Sequence, residues 1–357
     1  MTAKKDDFWQ NKQDWSRRKH LVLEYYLPPL VAKFSKVSEG KQGVRRIVIV
    51  DGFAGRGEYE DGTAGSPMLI CQVADRAEQW KPPAQVSIYN IEQDPDNFTH
   101  LEQCTRPWVK KGVVTNLQGR FQQHLSAILE ATSNFPMLAF LDPFKPTDLA
   151  FPDFAPLLKR PLTEILLIFH TDGIKRMLGG GHVKKETLDK AFGNNKWRQL
   201  PMHPTDQEIV QAVAQNLKRM SNCGVYAHAI RERLGSRVKY HILFLTRHPD
   251  AARLMNEAFV KEKQALLQGQ QVFEPQEEIK NLLLEIGRSR EKWVRRALIW
   301  EAICRRFGEF SEKQYREAIK GLLEEHPPKL IAPNVKPNRN GTYTGKLRDD
   351  TELRFQL

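Results

Sequence analysis

Short β-branched and apolar runs alternate with stretches of helical periodicity through most of the chain. Ile47 to Val50 is such a run, and Gly52, Gly55 and Gly57 follow it within a few residues, which predicts a buried strand entering a tight turn. VSIYNIE (86–92), VVTNLQG (113–119), PMLAFLDPF (136–144) and EILLIFH (164–170) predict further strands, separated by helix-like stretches at Asn97 to Cys104 and Phe121 to Ala131. This alternation predicts an α/β fold with a doubly wound, mainly parallel sheet, in which ligands sit at the C-terminal ends of the strands. Upstream, Leu21, Leu23, Tyr26, Leu27, Leu30 and Val31 recur at helical spacings behind the basic run Arg17, Arg18, Lys19, His20, predicting one or two amphipathic helices. Gly179 to Met202 reads as a loop-rich insertion around 176–204. Thr205 to Met220 reads as a helix, and VKYHILFLTRHPDAARLMNEAF as a strand followed by a helix.

Beyond about residue 275 the pattern changes to three short helices (through LLLEI, ALIWEAICRRF and SEKQYREAIKGLLEEH) and a terminal β-hairpin from KLIAP, GTYTGKL and TELRFQL. Ser311 with Gln314 fits a capping box, and the cluster Asn338 to Gly341 supplies the hairpin loop. The expected division is therefore a Rossmann-like domain at 1–275 and a small α+β domain at 276–357 of winged helix-turn-helix type. A length of 357 residues accommodates two domains.

The chain carries 55 Lys and Arg against 43 Asp and Glu, a net charge of +12, which favours an anionic partner. Residues 286 to 357 hold 16 basic and 10 acidic residues, so the excess is concentrated at the C-terminal end. The longest apolar runs fall far short of the ~18 residues of a membrane-spanning helix, and the charged start predicts no signal peptide and a cytoplasmic location. Cys71, Cys104, Cys223 and Cys304 match neither a disulfide framework nor a zinc spacing and read as buried and inert. His100, His124, His170, His182, His203, His228, His241, His248 and His326 fall in no ligand pattern, so no metal is expected.

Two constellations carry candidate chemistry. Asp51-Gly52-Phe53-Ala54-Gly55-Arg56-Gly57 closes the first strand, and Glu92 closes the next. A glycine turn lets the backbone approach a ligand, while a second carboxylate can accept both hydroxyls of a ribose, which suits an adenosine-containing ligand. No GxxxxGK[ST] follows, so a phosphate-cradling loop is disfavoured; the alternative is a tight turn with no ligand. Asp142-Pro143-Phe144 ends the strand MLAFL and could hold a planar amine between carboxylate and backbone carbonyl, with the ring stacked on a base. The alternative is a proline-initiated loop. His170, Asp172, Lys175 and Arg176 follow another strand and either touch substrate or form an exposed helix start. Lys19 and His20 read as a solvated face, with closure over the pocket mouth as the other possibility.

VDGFAGRGEYEDG with AGSPM, the acid of IEQD, LDPF and the helix KHLVLEYYLPPL resemble the three-Cys-motif partner proteins, over about residues 10 to 260. That family is bacterial and class I S-adenosylmethionine-dependent methyltransferase-like, and several members carry a C-terminal winged helix. The resemblance implies S-adenosylmethionine as cofactor, with Asp51, Gly52, Phe53, Ala54, Gly55 and Gly57 lining its methionine and ribose and Glu92 binding the ribose. It implies Asp142, Pro143 and Phe144 at the place of an amino-methyltransferase Asp-Pro-Pro-aromatic motif, whose second proline is absent here. It also implies a three-cysteine protein partner. Where related enzymes have Gly-Asp to reach the adenine amine, this chain has Gly119-Arg120, and arginine accepts no hydrogen bond.

The expected function is methylation of a nucleobase amine of DNA or RNA, with phosphate contacts from Arg288, Arg290, Lys292, Arg295, Arg296, Lys336, Arg339, Lys346 and Arg348. The alternative is a non-catalytic nucleic-acid-binding or adaptor subunit.

Overall fold

The computed structural model describes residues 14–42, 45–179, 183–231, 235–267, 275–290 and 292–356. Contacts divide the chain into two compact units, Met1–Leu254 and Met255–Leu357. The sequence places its boundary further on, beside residues 268–274, which lie outside the described ones, as do the start of the chain and Gly180 to His182.

In the first unit, β1 (Arg46–Asp51), β2 (Gln85–Glu92), β3 (Val114–Gln118), β4 (Met137–Leu141), β5 (Thr163–Phe169), β6 (Gly224–Arg231) and β7 (Val238–Thr246) form one sheet in the order β3-β2-β1-β4-β5-β7-β6. Strands β1 to β5 pair in parallel; β7 runs antiparallel to both β5 and β6. Val48 and Val50 of β1 face a core shared with α4 (Phe121–Ala131), α5 (Phe151–Lys159) and α8 (Asp206–Ser221). The alternate residues Ile47 and Ile49 are fully buried towards the other face, where α1 (Asp14–Gln42) and α2 (Ser66–Glu78) pack. Burial on both faces explains why the central strands read as continuous apolar runs. Between β2 and β3 lies α3 (Pro95–Lys110).

The strand order turns back on itself between β1 and β4, which opens a crevice at their C-terminal ends. Asp51 is level with Asn90 on β2 and Phe140 on β4, so Glu92 and Asp142 each stand two residues beyond it on the flanking strands. The sheet thus delivers three carboxylates to one edge.

One continuous helix, α1, covers 14–42 despite Pro28 and Pro29, within the expected one or two. Elsewhere the fold departs from the sequence reading. The expected loop insertion contains α6 (Thr171–Gly179) entering it, α7 (Lys185–Phe192) and a 3-10 turn at Lys196–Gln199. Strand β6 is not predicted by the sequence pattern: at the edge of the sheet with only Val225 and Ile230 buried, GVYAHAIR lacks the apolar density of its neighbours. Cys304 is exposed, unlike the buried Cys71 and Cys223. Among the described residues no helix is long and apolar enough to cross a membrane.

Helix α9 (Pro249–Leu266) spans the division. The second unit then runs α10 (Gln276–Gly287), β8 (Lys292–Val294), α11 (Arg295–Arg305), α12 (Glu312–Glu324), β9 (Leu330–Ile331) and β10 (Glu352–Phe355). Its sheet is antiparallel in the order β8-β10-β9, and β8, three residues long, was not anticipated. GTYTGKL forms turns rather than a strand, leaving a long segment between β9 and β10. The capping box forms: Ser311 Oγ accepts from the Gln314 amide at 3.3 Å and Gln314 Oε1 from the Ser311 amide at 2.8 Å.

A Cβ on Gly287 would stand 2.5 Å from the ring of Phe355, itself in the second unit's core. Gly287→Ala should therefore destabilise that unit by about 1–3 kcal/mol through overpacking, visible in thermal melts as loss of its contribution before the first unit's.

Candidate active site

The turn after β1 is tied down by backbone bonds from Gly52 N–H to Phe140 O and from Ala54 N–H to Ile91 O, both 2.9 Å. Gly55 and Gly57 adopt φ values of 66° and 86°, open to glycine at little cost. Gly65 crosses so closely over Gly57 that a Cβ there would meet the Gly57 carbonyl oxygen at 2.6 Å. These contacts fix the shape of the turn.

Asp51 is completely buried. Its Oδ1 accepts from the Phe53 amide at 3.3 Å, while Oδ2 has no hydrogen-bond partner among the described residues. Burial pushes its carboxyl up to about 7, against the pull of Ser66 and the Phe53 amide, with Asp142 adding to the rise and Lys19 opposing it. Glu92 accepts from the Gly55 amide at 2.8 Å and the Asp94 amide at 2.7 Å, one on each oxygen. Burial raises its pKa as well, though these amides resist the rise. A carboxylate has about four acceptor sites, so each oxygen keeps one lone pair for a ribose hydroxyl.

Just past β4, Asp142 is ion-paired with Lys19 of α1. Lys19 is not on a solvated face: its side chain is 11 % exposed and His20 is buried. Burial works against the ammonium, but Asp142, Tyr59 and Asp51 outweigh it and hold the Lys19 pKa above its ordinary value. The signal was present in the sequence. Lys19 stands at i−4, i−7, i−8 and i−11 from Leu23, Tyr26, Leu27 and Leu30, on the apolar stripe that docks against the sheet.

Pro143 turns its carbonyl to His170 Nε2 at 2.8 Å. A carbonyl only accepts, so Nε2 carries the proton and Nδ1 of the neutral ring is left as the acceptor. Burial keeps His170 neutral by lowering its pKa, Asp142 opposing. The ring also packs edge-on to Tyr240 at 5.8 Å. Phe144 is 69 % exposed beside this cluster in sequence, and Phe53 stacks on Phe121 instead at 6.2 Å. Of the residues following β5, Lys175 pairs with Asp206 at 2.8 Å and Arg176 with Asp172 at 3.6 Å; only His170 joins Asp142. Arg120 is exposed at the start of α4, where its amide is capped by Gln123 Oε1 at 2.7 Å.

In the second unit, Arg288, Arg290, Lys292, Arg296, Lys336, Arg339, Lys346 and Arg348 are exposed. Arg295 is not. It is buried, and its Nη1 donates to the Leu347 carbonyl at 2.8 Å, so it braces the β9–β10 segment rather than meeting a ligand.

The strand order, with its single antiparallel β7, makes this a Rossmann-like class I methyltransferase fold. No family model matches the sequence, and no curated protein matches it. Solved structures similar to this chain include the O-methyltransferase TomG from Streptomyces achromogenes in complex with SAM, at 17% identity over 67% of this chain and 91% of that one, TM-score 0.32. An O-methyltransferase from Bacillus cereus in complex with SAH has 14% identity over 68% and 94%, TM-score 0.32. The methyltransferase domain of a bacterial Hen1 has 12% identity over 63% and 99%, TM-score 0.33. The fold assignment rests on the chain's own strand order.

Folded Asp51 keeps its proton up to about pH 7, whereas in the unfolded chain it loses it near 3.8. Between those values the native state binds more protons, so this group's stabilisation is full below pH ~4 and declines as pH rises to 7. Asp51→Asn should accordingly melt higher than the wild type at pH 8, with the difference vanishing at pH 4. Lys19→Met should cost about 3 kcal/mol by stranding the Asp142 charge, and Asp142→Asn in the same chain should recover most of it, as a double-mutant cycle of melting temperatures would show.

Proposed function

We propose that the protein is an S-adenosylmethionine-dependent methyltransferase acting on nucleic acid. The observation that carries this reading is the buried, donorless Oδ2 of Asp51 beside the glycine turn, with Glu92 facing the same turn. These residues fit the cofactor. Asp51 would take its α-ammonium and Glu92 its ribose hydroxyls, along the Gly52 to Gly57 backbone. When bound, the cofactor supplies a methyl group on positive sulfur, open to attack by a nucleophile's lone pair.

The acceptor on this reading is an exocyclic amine of a base in DNA or RNA, held by Asp142 and the Pro143 carbonyl and stacked on Phe144. Both acceptors already have internal donors, Lys19 and His170. An amine therefore enters by exchange. A hydrogen bond from a charged donor contributes ~1.5–3 kcal/mol against ~0.5–1.5 for a neutral one, so the exchange is uphill. Flipping a base out of a duplex adds a few kcal/mol more. Stacking on Phe144 and phosphate contacts by the second unit, whose α-β-α-α-β-β order is that of a winged helix, offset these costs.

The occupied cradle and Arg120 also favour a second reading, a methyltransferase-like fold that has lost catalysis and works through a protein partner of three-cysteine type.

Calorimetric titration with S-adenosylhomocysteine separates the two. Micromolar binding is expected, lost in Asp51→Ala and in Glu92→Ala. Affinity should rise by about 10-fold from pH 6 to 8, because the ligand's ammonium requires ionised Asp51, and flatten above 8. Binding seen only in Arg120→Asp would leave the second reading.

A further inference from the structure

The second unit has two basic faces, and they differ in kind. On α12 every cation is matched. Arg316 meets Glu312 and, at 2.7 Å, Asp349; Lys313 lies 3.8 Å from Glu317 and Lys320 4.0 Å from Glu324. A phosphate arriving there would have to displace carboxylates already in place.

Between β8 and the segment leading from β9 into β10 lies a groove of about 780 Å³. Arg290, Lys292, Lys336, Lys346 and Arg348 line it, and none has an ion-pair partner among the described residues. Two acids, Asp350 and Glu352, also line it, and Glu352 is already taken by Arg354 at 2.8 Å, so the cations outnumber the carboxylates five to two. An independent feature points to a ligand. Trp293, at 7 % exposure, lines the groove with its indole Nε1–H buried and without an acceptor. Its ring also carries Arg290, whose guanidinium carbon stands 4.6 Å from the ring centroid, holding that cation in place.

We propose that this groove, and not α12, is the surface that grips nucleic acid, by binding the phosphates of a duplex backbone; the proposal rests on the nucleic-acid part of the function above. Five cations, one of them held against the Trp293 ring, with no array of amide side chains to read base edges, make a clamp indifferent to sequence. About five neutralised phosphates give a slope of log affinity against log salt near −4.5. The two walls of the groove are β8 and the segment between β9 and β10, so that segment is a gripping element and α12 a supporting one.

Fluorescence anisotropy of the full chain with fluorescein-labelled 24-base-pair duplexes of mixed sequence, one DNA and one RNA, tests this between 50 and 200 mM KCl. Lys336→Glu with Arg348→Glu should weaken binding at least 10-fold and lower the salt slope by about two. Lys313→Glu with Lys320→Glu should leave binding within 2-fold, and both double variants should melt as the wild type. The DNA and RNA arms identify which duplex is held. Equal loss in the α12 variant, or a groove variant within 2-fold of wild type, overturns the groove assignment. No wild-type binding to either duplex overturns it together with the nucleic-acid part of the proposed function, while the S-adenosylhomocysteine titration still judges the cofactor site.

Discussion

A carboxylate removed from water must find a cation, collect hydrogen bonds, or surrender its charge. The edge of the sheet where β1, β2 and β4 end gathers three of them, and each takes a different course. Asp142 has Lys19. Glu92 has two backbone amides. Asp51 has neither in full measure and rises to about 7. The same rule operates deeper in the unit, where Glu164, among Tyr26 and Thr246, is also pushed by burial to about 7. Glu164 sits far from the crevice's acids in the sheet register and has its hydroxyl donors already, whereas Asp51 is the carboxylate at the strand ends that keeps a buried oxygen without a donor among the described residues.

The placement of α1 follows from this constraint. Without Lys19 the charge on Asp142 would act on Asp51 unopposed and push its carboxyl higher still. The helix that covers the β1 face therefore carries its cation at the first turns, and the loop after β1 brings Tyr59 to the same ammonium. Fold stability and site electrostatics are here one interaction.

What could be read in the sequence was local. The strand IVIV, the glycine turn, Glu92 and Asp142 are each signalled by a few adjacent residues, and parallel pairing brings them together whatever else the chain does. Lys19 and Asp142 lie 123 positions apart, and no short pattern links them. The stripe of Leu23, Tyr26, Leu27 and Leu30 did contain the clue, but a lysine on an apolar stripe more often extends its head to solvent. His170 was placed at the right edge of the sheet, whereas its bond to the Pro143 carbonyl depends on how far the β4 and β5 ends project. Strand β8 escaped because three residues hold no period, and Arg295 because its acceptor, the Leu347 carbonyl, lies on a segment without regular structure.

Charge counting had a similar limit in the second unit. A net excess of basic residues says nothing about which of them are already answered. Helix α12 spaces acids and bases four apart, so its charges cancel within the helix. The cations Arg290, Lys292, Lys336, Lys346 and Arg348 make no ion pair with a neighbouring acid among the described residues. Strand β8 is too short, and the β9–β10 segment spends its carbonyl at Leu347 and its backbone at Asp349 and Thr351 on bracing the start of α11. Field therefore concentrates where the local pairing rules fail, and a groove with cations on both walls attracts a polyanion more strongly than a helix carrying the same number of paired charges.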